Sequence, residues 1–114
     1  MPDPDTLTVK DRRLALRRPP RGKVRAVCRR GALELGPDLA LAVVDLSETG
    51  VRLAVREALQ PGGEVTVALE GPLQSRPVKR VGRVVWSLSA ADGSCQAGVV
   101  LQGRLPYSDF LALT

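Results

Sequence analysis

Residues 39–55 read LALAVVDLSETGVRLAV, and this stretch decides the fold. Its first part, residues 39–46, is apolar almost throughout, and its last part places Val51, Leu53 and Val55 at every second position. A short continuous apolar run is typical of a strand buried on both faces, and alternation is typical of a strand with one buried face. Because Gly50 and polar residues separate the two parts, the stretch predicts two strands joined by a tight turn.

The same signals recur along the rest of the chain. Alternating or valine-rich segments follow one another at spacings of about 8–12 residues, separated by turns rich in glycine and proline. The predicted strands cover residues 24–29, 39–46, 51–55, 65–69, 77–88 and 95–101. This pattern predicts an all-β protein, a small antiparallel barrel of about six strands.

Three finer features are expected in this barrel. The apolar phase of residues 77–88 slips near residues 79–80, which indicates a β-bulge there. Gly82 is expected at a bend of the closing sheet. A short helix is predicted after the last strand, because apolar residues there have i, i+3, i+4 spacing. The residues expected on one face of this helix are Tyr107, Phe110 and Leu111.

The positive charge is concentrated at the N-terminus. The chain has a formal charge of +5, but residues 1–30 carry ten Lys or Arg against three Asp, whereas residues 31–114 carry seven Lys or Arg against nine Asp or Glu. A basic arm on a slightly acidic body implies an anionic partner, such as a phosphate compound, a nucleic acid or a membrane surface. The expected organisation is a flexible tail at 1–8, an arginine-rich arm at 9–21, a barrel at 22–103 and a helix at 105–113.

Several function classes are disfavoured by composition. The chain has no histidine, so imidazole-based metal sites and catalytic triads are excluded. Its two cysteines, Cys28 and Cys95, form no CxxC pair, so no zinc site is expected; they are interpreted as packing residues, with a mutual contact as the alternative. Without a signal-peptide pattern or an apolar span, we expect a cytoplasmic protein with no membrane insertion.

Two motifs carry the functional signal. The arm contains an R-x-x-x-R pair, Arg13 and Arg17, and the turn after the second predicted strand reads Asp45-Leu46-Ser47-Glu48-Thr49-Gly50, a D-x-S-x-x-G pattern. In this order and at about this separation, the two motifs resemble those of the PilZ domain, a bacterial receptor module for the second messenger cyclic di-GMP. The resemblance extends over residues 11–111.

The resemblance implies a stand-alone receptor that binds cyclic di-GMP, is not an enzyme and passes its signal to a downstream protein. It implies no cofactor and no metal. The implied ligand-binding residues are Arg12, Arg13, Arg17, Asp45, Ser47 and Gly50. We expect the arm, residues 9–21, to be mobile in the free protein because its like charges repel, and to fold against the barrel when the ligand's phosphates neutralise it.

The chemistry of these residue types suits that ligand. A guanidinium fork matches phosphate oxygens and the O6 and N7 acceptors of guanine. A carboxylate, as in Asp45, accepts hydrogen bonds from N1–H and the N2 amine of guanine. A site for a polyanion without guanine would not require this carboxylate. Ser47 offers a small hydroxyl, and Gly50 can adopt a positive φ and let a ligand approach the backbone. Arginine planes can stack on guanine where aromatic residues are few.

The register of the arginine pair has alternatives. Arg17 with Arg21, or Arg21 with Arg25, also fits R-x-x-x-R. We prefer Arg13 with Arg17, because family members usually have a proline-containing stretch between the pair and the first strand, and Pro19-Pro20 occupies that place. Arg18 departs from the family pattern, where an apolar residue is usual.

Two other functions fit parts of the sequence. A small basic barrel could bind DNA or RNA through its arm, and a PilZ-like adaptor could act through protein contacts without nucleotide. Trp86 is interpreted as packing, and a second basic cluster as a solvated strand face. That cluster consists of Arg76, Lys79, Arg80 and Arg83.

Overall fold

A computed structural model describes residues 17–74 and 76–114. These residues form one six-stranded antiparallel sheet and one short helix. The elements are β1 (Arg25–Arg30), β2 (Ala40–Leu46), β3 (Gly50–Val55), β4 (Glu64–Glu70), β5 (Val78–Ser89), β6 (Cys95–Leu101) and the helix α1 (Tyr107–Leu113). The predicted all-β class, the strands and the terminal helix are confirmed. The tail, and the arm as far as residue 16, lie outside the described residues.

The sheet curves into a nearly closed barrel. Its strand order is β1-β4-β5-β6-β3-β2, so the first two strands of the chain are its two edges. The edges are joined at one end, where the amide of Leu39 donates to the carbonyl of Cys28 over 2.7 Å. One carboxylate oxygen of Asp38 also accepts from the amides of Cys28 and Ala40, at 2.9 and 3.0 Å. Asp38 therefore satisfies amide groups of both edge strands.

The alternation in the sequence supplies the core. Valine and leucine side chains at every second position of the strands point into the barrel, and burial of each contributes about 1.5–3 kcal/mol. The buried side chains of the central strands include Val51, Leu53, Val55, Val65, Val67, Leu69, Val84 and Val99.

Helix α1 covers one end of the barrel with Phe110 and Leu113, which are 3% and 0% exposed. A Cβ placed on Gly71 would lie 3.3 Å from Cδ2 of Leu113, so the helix packs closely on this glycine. The predicted face is wrong in part, because Tyr107 and Leu111 are exposed. Leu113 is buried instead, because the face that packs on the barrel depends on how the helix is placed. Local spacing gives no information on that placement.

Strand β2 is not buried on both faces. Leu41 is 58% exposed, and Ala42 is exposed as well. The strand is an edge of the sheet, and its outer face has no covering layer among the described residues. Register shifts between Ala40 and Ala42 and between Val43 and Asp45 also interrupt its pairing with β3, so two consecutive residues of the apolar run, Leu41 and Ala42, are exposed.

The bulge of β5 lies further along than expected. Residues 78–83 pair with β4 without a register shift, and the shift occurs between Val84 and Trp86 in the pairing with β6. Gly82 lies at a close approach of strands, because a Cβ there would be 2.6 Å from Cγ1 of Val99 and 2.8 Å from the carbonyl oxygen of Val100. The glycine therefore allows β5 and β6 to pack, as a closing sheet requires.

The two cysteines are both free thiols. Cys28 is fully buried, and burial, reinforced by the nearby charge of Asp38, raises the pKa of its thiol to about 11 from the usual 9.0. Cys95 is half-buried next to Ser89, with 3.5 Å between Sγ and Oγ. Cys28 is thus a packing residue that stays protonated and unreactive at neutral pH.

This pKa shift predicts an alkaline loss of stability. The folded chain holds the Cys28 proton to higher pH than the unfolded chain, so its stabilising effect is complete below about pH 9 and is lost as the pH rises towards 11. We expect the free energy of unfolding, measured by urea denaturation, to fall more steeply over this range than in Cys28→Ala. Equal slopes in the two proteins would contradict the assignment.

Candidate functional site

The turn between β2 and β3 is organised by a buried serine. Ser47 is 2% exposed, and its hydroxyl oxygen accepts from the amides of Gly50 and Thr49 at 3.1 and 3.3 Å. The amide of Ser47 in turn donates to the carbonyl of Gly50 over 2.8 Å. The serine of the D-x-S-x-x-G pattern therefore holds the turn together from the inside.

Gly50 is required by close approach rather than by its φ angle. Its φ is not in the left-handed region, which corrects the expectation of a positive φ. A Cβ at this position would lie 3.0 Å from the carbonyl oxygen of Val99 and 3.5 Å from Nη2 of Arg17. Glycine thus allows the close approach of the Val99 carbonyl, whereas the Arg17 guanidinium lies at an ordinary contact distance.

The two sequence motifs meet in one ion pair. Nη1 of Arg17 donates to Oδ1 of Asp45 over 2.7 Å, although the residues are 28 positions apart. Arg17 is brought there by its neighbour Arg18, whose amide and carbonyl bond to the carbonyl and amide of Leu46 at 2.8 and 2.9 Å. The end of the arm therefore adds a short antiparallel bridge to the free edge of β2.

A row of paired residues crosses the outer face of the barrel from this ion pair. Asp45 on β2 lies opposite Arg52 on β3, Arg52 lies opposite Gly98 on β6, and Gly98 lies opposite Trp86 on β5. Directly paired residues are the closest neighbours across strands, so these four positions form one continuous strip.

Arg52 is the central side chain of this strip. Its Nε lies 3.6 Å from Oδ2 of Asp45, and its guanidinium carbon lies 5.8 Å from the ring centroid of Trp86, a cation–π distance. Nε itself is buried and has no hydrogen-bond partner among the residues that the structure describes. Asp45 therefore has a guanidinium on each side, Arg17 hydrogen-bonded and Arg52 at longer range.

Trp86 lies flat against the sheet because Gly98 has no side chain. A Cβ at Gly98 would collide with Nε1 and Cε2 of the indole. Trp86 is 36% exposed, so it is a surface ring beside the site and not a core residue. Trp86 thus packs on the outside of the barrel, and of its predicted core or barrel-rim positions the core is wrong. The sequence omitted Arg52 because the strip is visible only from the strand register.

Arg21 lies away from Asp45. Its amide donates to the carbonyl of Leu113 over 2.6 Å and its Nη2 to the carbonyl of Leu111 over 3.4 Å, both in the last turn of α1. Arg17, four residues earlier, is the arginine that reaches the D-x-S-x-x-G turn. Arg21 is therefore not next to Asp45, and Arg13, the other member of the preferred pair, lies outside the described residues.

Comparison with protein-family models matches residues 11–106 to the PilZ domain. The chain belongs to the PilZ domain family. Comparison with curated proteins finds no match. Membership confirms the family inferred from the motifs, and it supports a binding domain with a general receptor role for cyclic di-GMP. None of the helices in residues 17–74 and 76–114 has both the length and the apolar character needed to span a membrane.

Two candidate residues of this PilZ domain, Arg12 and Arg13, lie outside the described residues. Among the rest of the set, the structure brings Arg17 and Asp45 together at the surface, next to the buried residues Gly50 and Ser47. The candidate site therefore spans the end of the arm, the β2–β3 turn and the strip on the outer face.

The second basic cluster serves the backbone of the PilZ barrel. Arg80 donates to the carbonyls of Lys79 and Arg104 at 2.8 and 3.2 Å, and Arg83 donates to the carbonyl of Gly62 over 2.7 Å. Lys79 is paired with Glu34 at 3.1 Å. Three of the four cations thus have local partners, which refines their interpretation as a solvated face.

The role of the Ser47 hydroxyl can be tested with a matched control. Ser47→Ala removes the acceptor of two turn amides and is expected to lower the free energy of unfolding by about 1–3 kcal/mol. Ser87→Ala makes the same chemical change at a hydroxyl that is buried without a hydrogen-bond partner, so little or no loss is expected. Equal losses by urea denaturation would contradict the role given to Ser47.

The seat of Trp86 gives a second prediction. Gly98→Ala should push the indole off the sheet and expose it, which shifts its fluorescence emission to longer wavelength. Overpacking should also cost about 1–3 kcal/mol of stability. Gly36→Ala is the matched control, because a Cβ at Gly36 meets no atom within 4 Å. Unchanged emission in Gly98→Ala would contradict the packing of Trp86 on Gly98.

Proposed function

We propose that this PilZ domain is a cyclic di-GMP receptor that binds its ligand on the outer face of the barrel, beside the β2–β3 turn. The observation that carries the proposal is the meeting of the two motifs, with Arg17 and Asp45 joined at 2.7 Å above Gly50. Phosphate-binding and guanine-binding groups are thereby available at one place. The proposed ligand contacts are Arg12, Arg13, Arg17, Asp45 and Gly50, with Ser47 supporting the turn.

Asp45 is the group that selects guanine in this proposal. Its carboxylate is half-buried and acts only as an acceptor, which suits the N1–H and N2 donors of guanine. In the structure one of its oxygens accepts a hydrogen bond from Arg17. Binding therefore exchanges the Arg17–Asp45 pair for a base–Asp45 contact and frees the guanidinium fork for a phosphate.

Arg52 and Trp86 extend the site into a platform for the base. The guanidinium lies near the indole, and the glycine at position 98 keeps the surface flat beside them. Planar cations and indoles both stack on purines. A guanine whose edge meets Asp45 can thus place its plane over neighbouring groups of the same strip.

The proposed conformational response involves fewer residues than residues 9–21, the segment expected from the sequence. Residues 17–21 bond to the barrel and to α1. Folding of the arm onto the ligand therefore concerns residues 9–16, which carry Arg12 and Arg13. Presentation of that segment on the barrel surface is the signal that we propose a downstream protein reads.

Trp86 provides a direct assay, because it is the only tryptophan in the chain. Titration with cyclic di-GMP should change its fluorescence with saturation, and calorimetry should return the same dissociation constant. Arg13→Ala, Arg17→Ala and Asp45→Ala should each weaken binding by about 1–3 kcal/mol, as for lost bidentate contacts. Arg76→Ala, which removes an exposed arginine elsewhere, is the control for charge alone.

The same assay separates the alternative functions. A nucleic-acid binder would bind DNA or RNA with an affinity that falls steeply with salt, and cyclic di-GMP would not compete. An adaptor would give no heat and no fluorescence change with folded protein at high micromolar cyclic di-GMP. Either result would overturn the receptor proposal, and equal affinity for cyclic di-AMP would overturn the role of Asp45.

A further inference from the structure

Residues 17–21, here called the strap, connect the candidate site to the C-terminal helix. At one end Arg17 pairs with Asp45 and Arg18 forms a two-bond bridge with Leu46. At the other end Arg21 bonds to the last turn of α1 through its backbone amide and its guanidinium. Both ends of the strap are therefore fixed on different elements.

The middle of the strap is stiff. Pro19 and Pro20 fix two successive φ angles and provide no amide donor, so the ladder begun by Arg18 on the edge of β2 cannot continue through them. A displacement of Arg21 therefore also displaces Arg18 and Arg17. Release of the far end from α1 would therefore disturb the Arg18 bridge and, through it, the place of Arg17.

Helix α1 lacks features that Arg21 can supply. With seven residues it is too short to be stable alone, and no basic side chain of its own lies in its last turn. The carbonyls of Leu111 and Leu113 in that turn accept from Arg21. A guanidinium there also interacts favourably with the negative end of the helix dipole.

We propose that Arg21 is a positioning residue for the ligand site and that α1 is its anchor. Arg21 does not touch the ligand; it sets the place of Arg17 by holding the strap on α1. The effect of Arg21 on ligand binding rests on the proposed function. Because coupling is reciprocal, a ligand held by Arg17 stabilises the docked helix in return.

The first arm of the test needs no ligand. The amide of Leu46 donates to the carbonyl of Arg18, so its hydrogen exchange reports whether the strap is seated. Arg21→Ala should speed this exchange about three- to tenfold, as for loss of one hydrogen bond. Arg21→Lys, which keeps a cationic donor, should restore it, and Arg25→Ala, which removes an exposed arginine whose ion-pair partner is Glu70, should leave it unchanged.

The second arm measures cyclic di-GMP affinity through Trp86. Arg21→Ala should weaken binding about three- to tenfold with rescue by Arg21→Lys, since the lost contact is a single hydrogen bond. In the Arg17→Ala background the same change should cost little, because Arg21 acts through Arg17. Ligand should also slow exchange of the amides of Phe110 and Thr114 in the wild type and not in Arg17→Ala.

The outcomes separate this proposal from the proposed function. Unchanged Leu46 exchange in Arg21→Ala overturns the anchor whatever the ligand is. An affinity loss that is equal with and without Arg17, or that lysine does not rescue, makes Arg21 a direct ligand contact and also overturns it. If the wild type does not bind cyclic di-GMP but Leu46 responds, the receptor proposal fails while the anchor is supported.

Discussion

Closure of the barrel between its two edge strands, β1 and β2, is the constraint on which the rest of the molecule depends. These strands follow one another in the chain, but they form opposite edges of the sheet, so barrel closure requires their edges to be satisfied without a full ladder. At one end Asp38 and Leu39 join them. At the other end Arg18 bonds to the edge of β2, and α1 covers the core. The arm is thus part of the closure before it is part of a site.

This arrangement explains why a basic arm is compatible with a fixed ligand site. An arginine-rich arm with no backbone contacts would bind anions non-specifically, because its side chains would have no fixed positions. Here Arg18 gives its backbone to β2, which leaves the side chain of the preceding residue directed at Asp45. The carboxylate in turn prevents that side chain from being a free cation. A bare phosphate must compete with Asp45 for Arg17, whereas a guanine-bearing phosphate provides donors for Asp45 in exchange.

Much of the fold was predictable because its signals are local. Alternation, turn glycines and the terminal helix spacing each depend on a few consecutive residues, and the strands lie where these patterns put them. The misplaced features depend on distant neighbours instead. Leu113 is buried by its packing against Gly71, and Leu41 is exposed at a register shift in the pairing of β2 with β3. In the site, the motifs identified Arg17 and Asp45, but Arg52 required the strand register.

The bulge of β5 shows how one register shift connects fold and site. In a regular strand after the buried Val84, the next side chain would point outwards and Trp86 would point into the barrel. The extra residue, Val85, leaves Trp86 opposite Gly98, with both Val85 and Trp86 exposed. The indole is thereby moved from the core to the strip that ends at Asp45. Bulges often redirect side chains at functional places. The phase slip near residues 79–80 does not locate this bulge, because residues 78–83 pair regularly with β4.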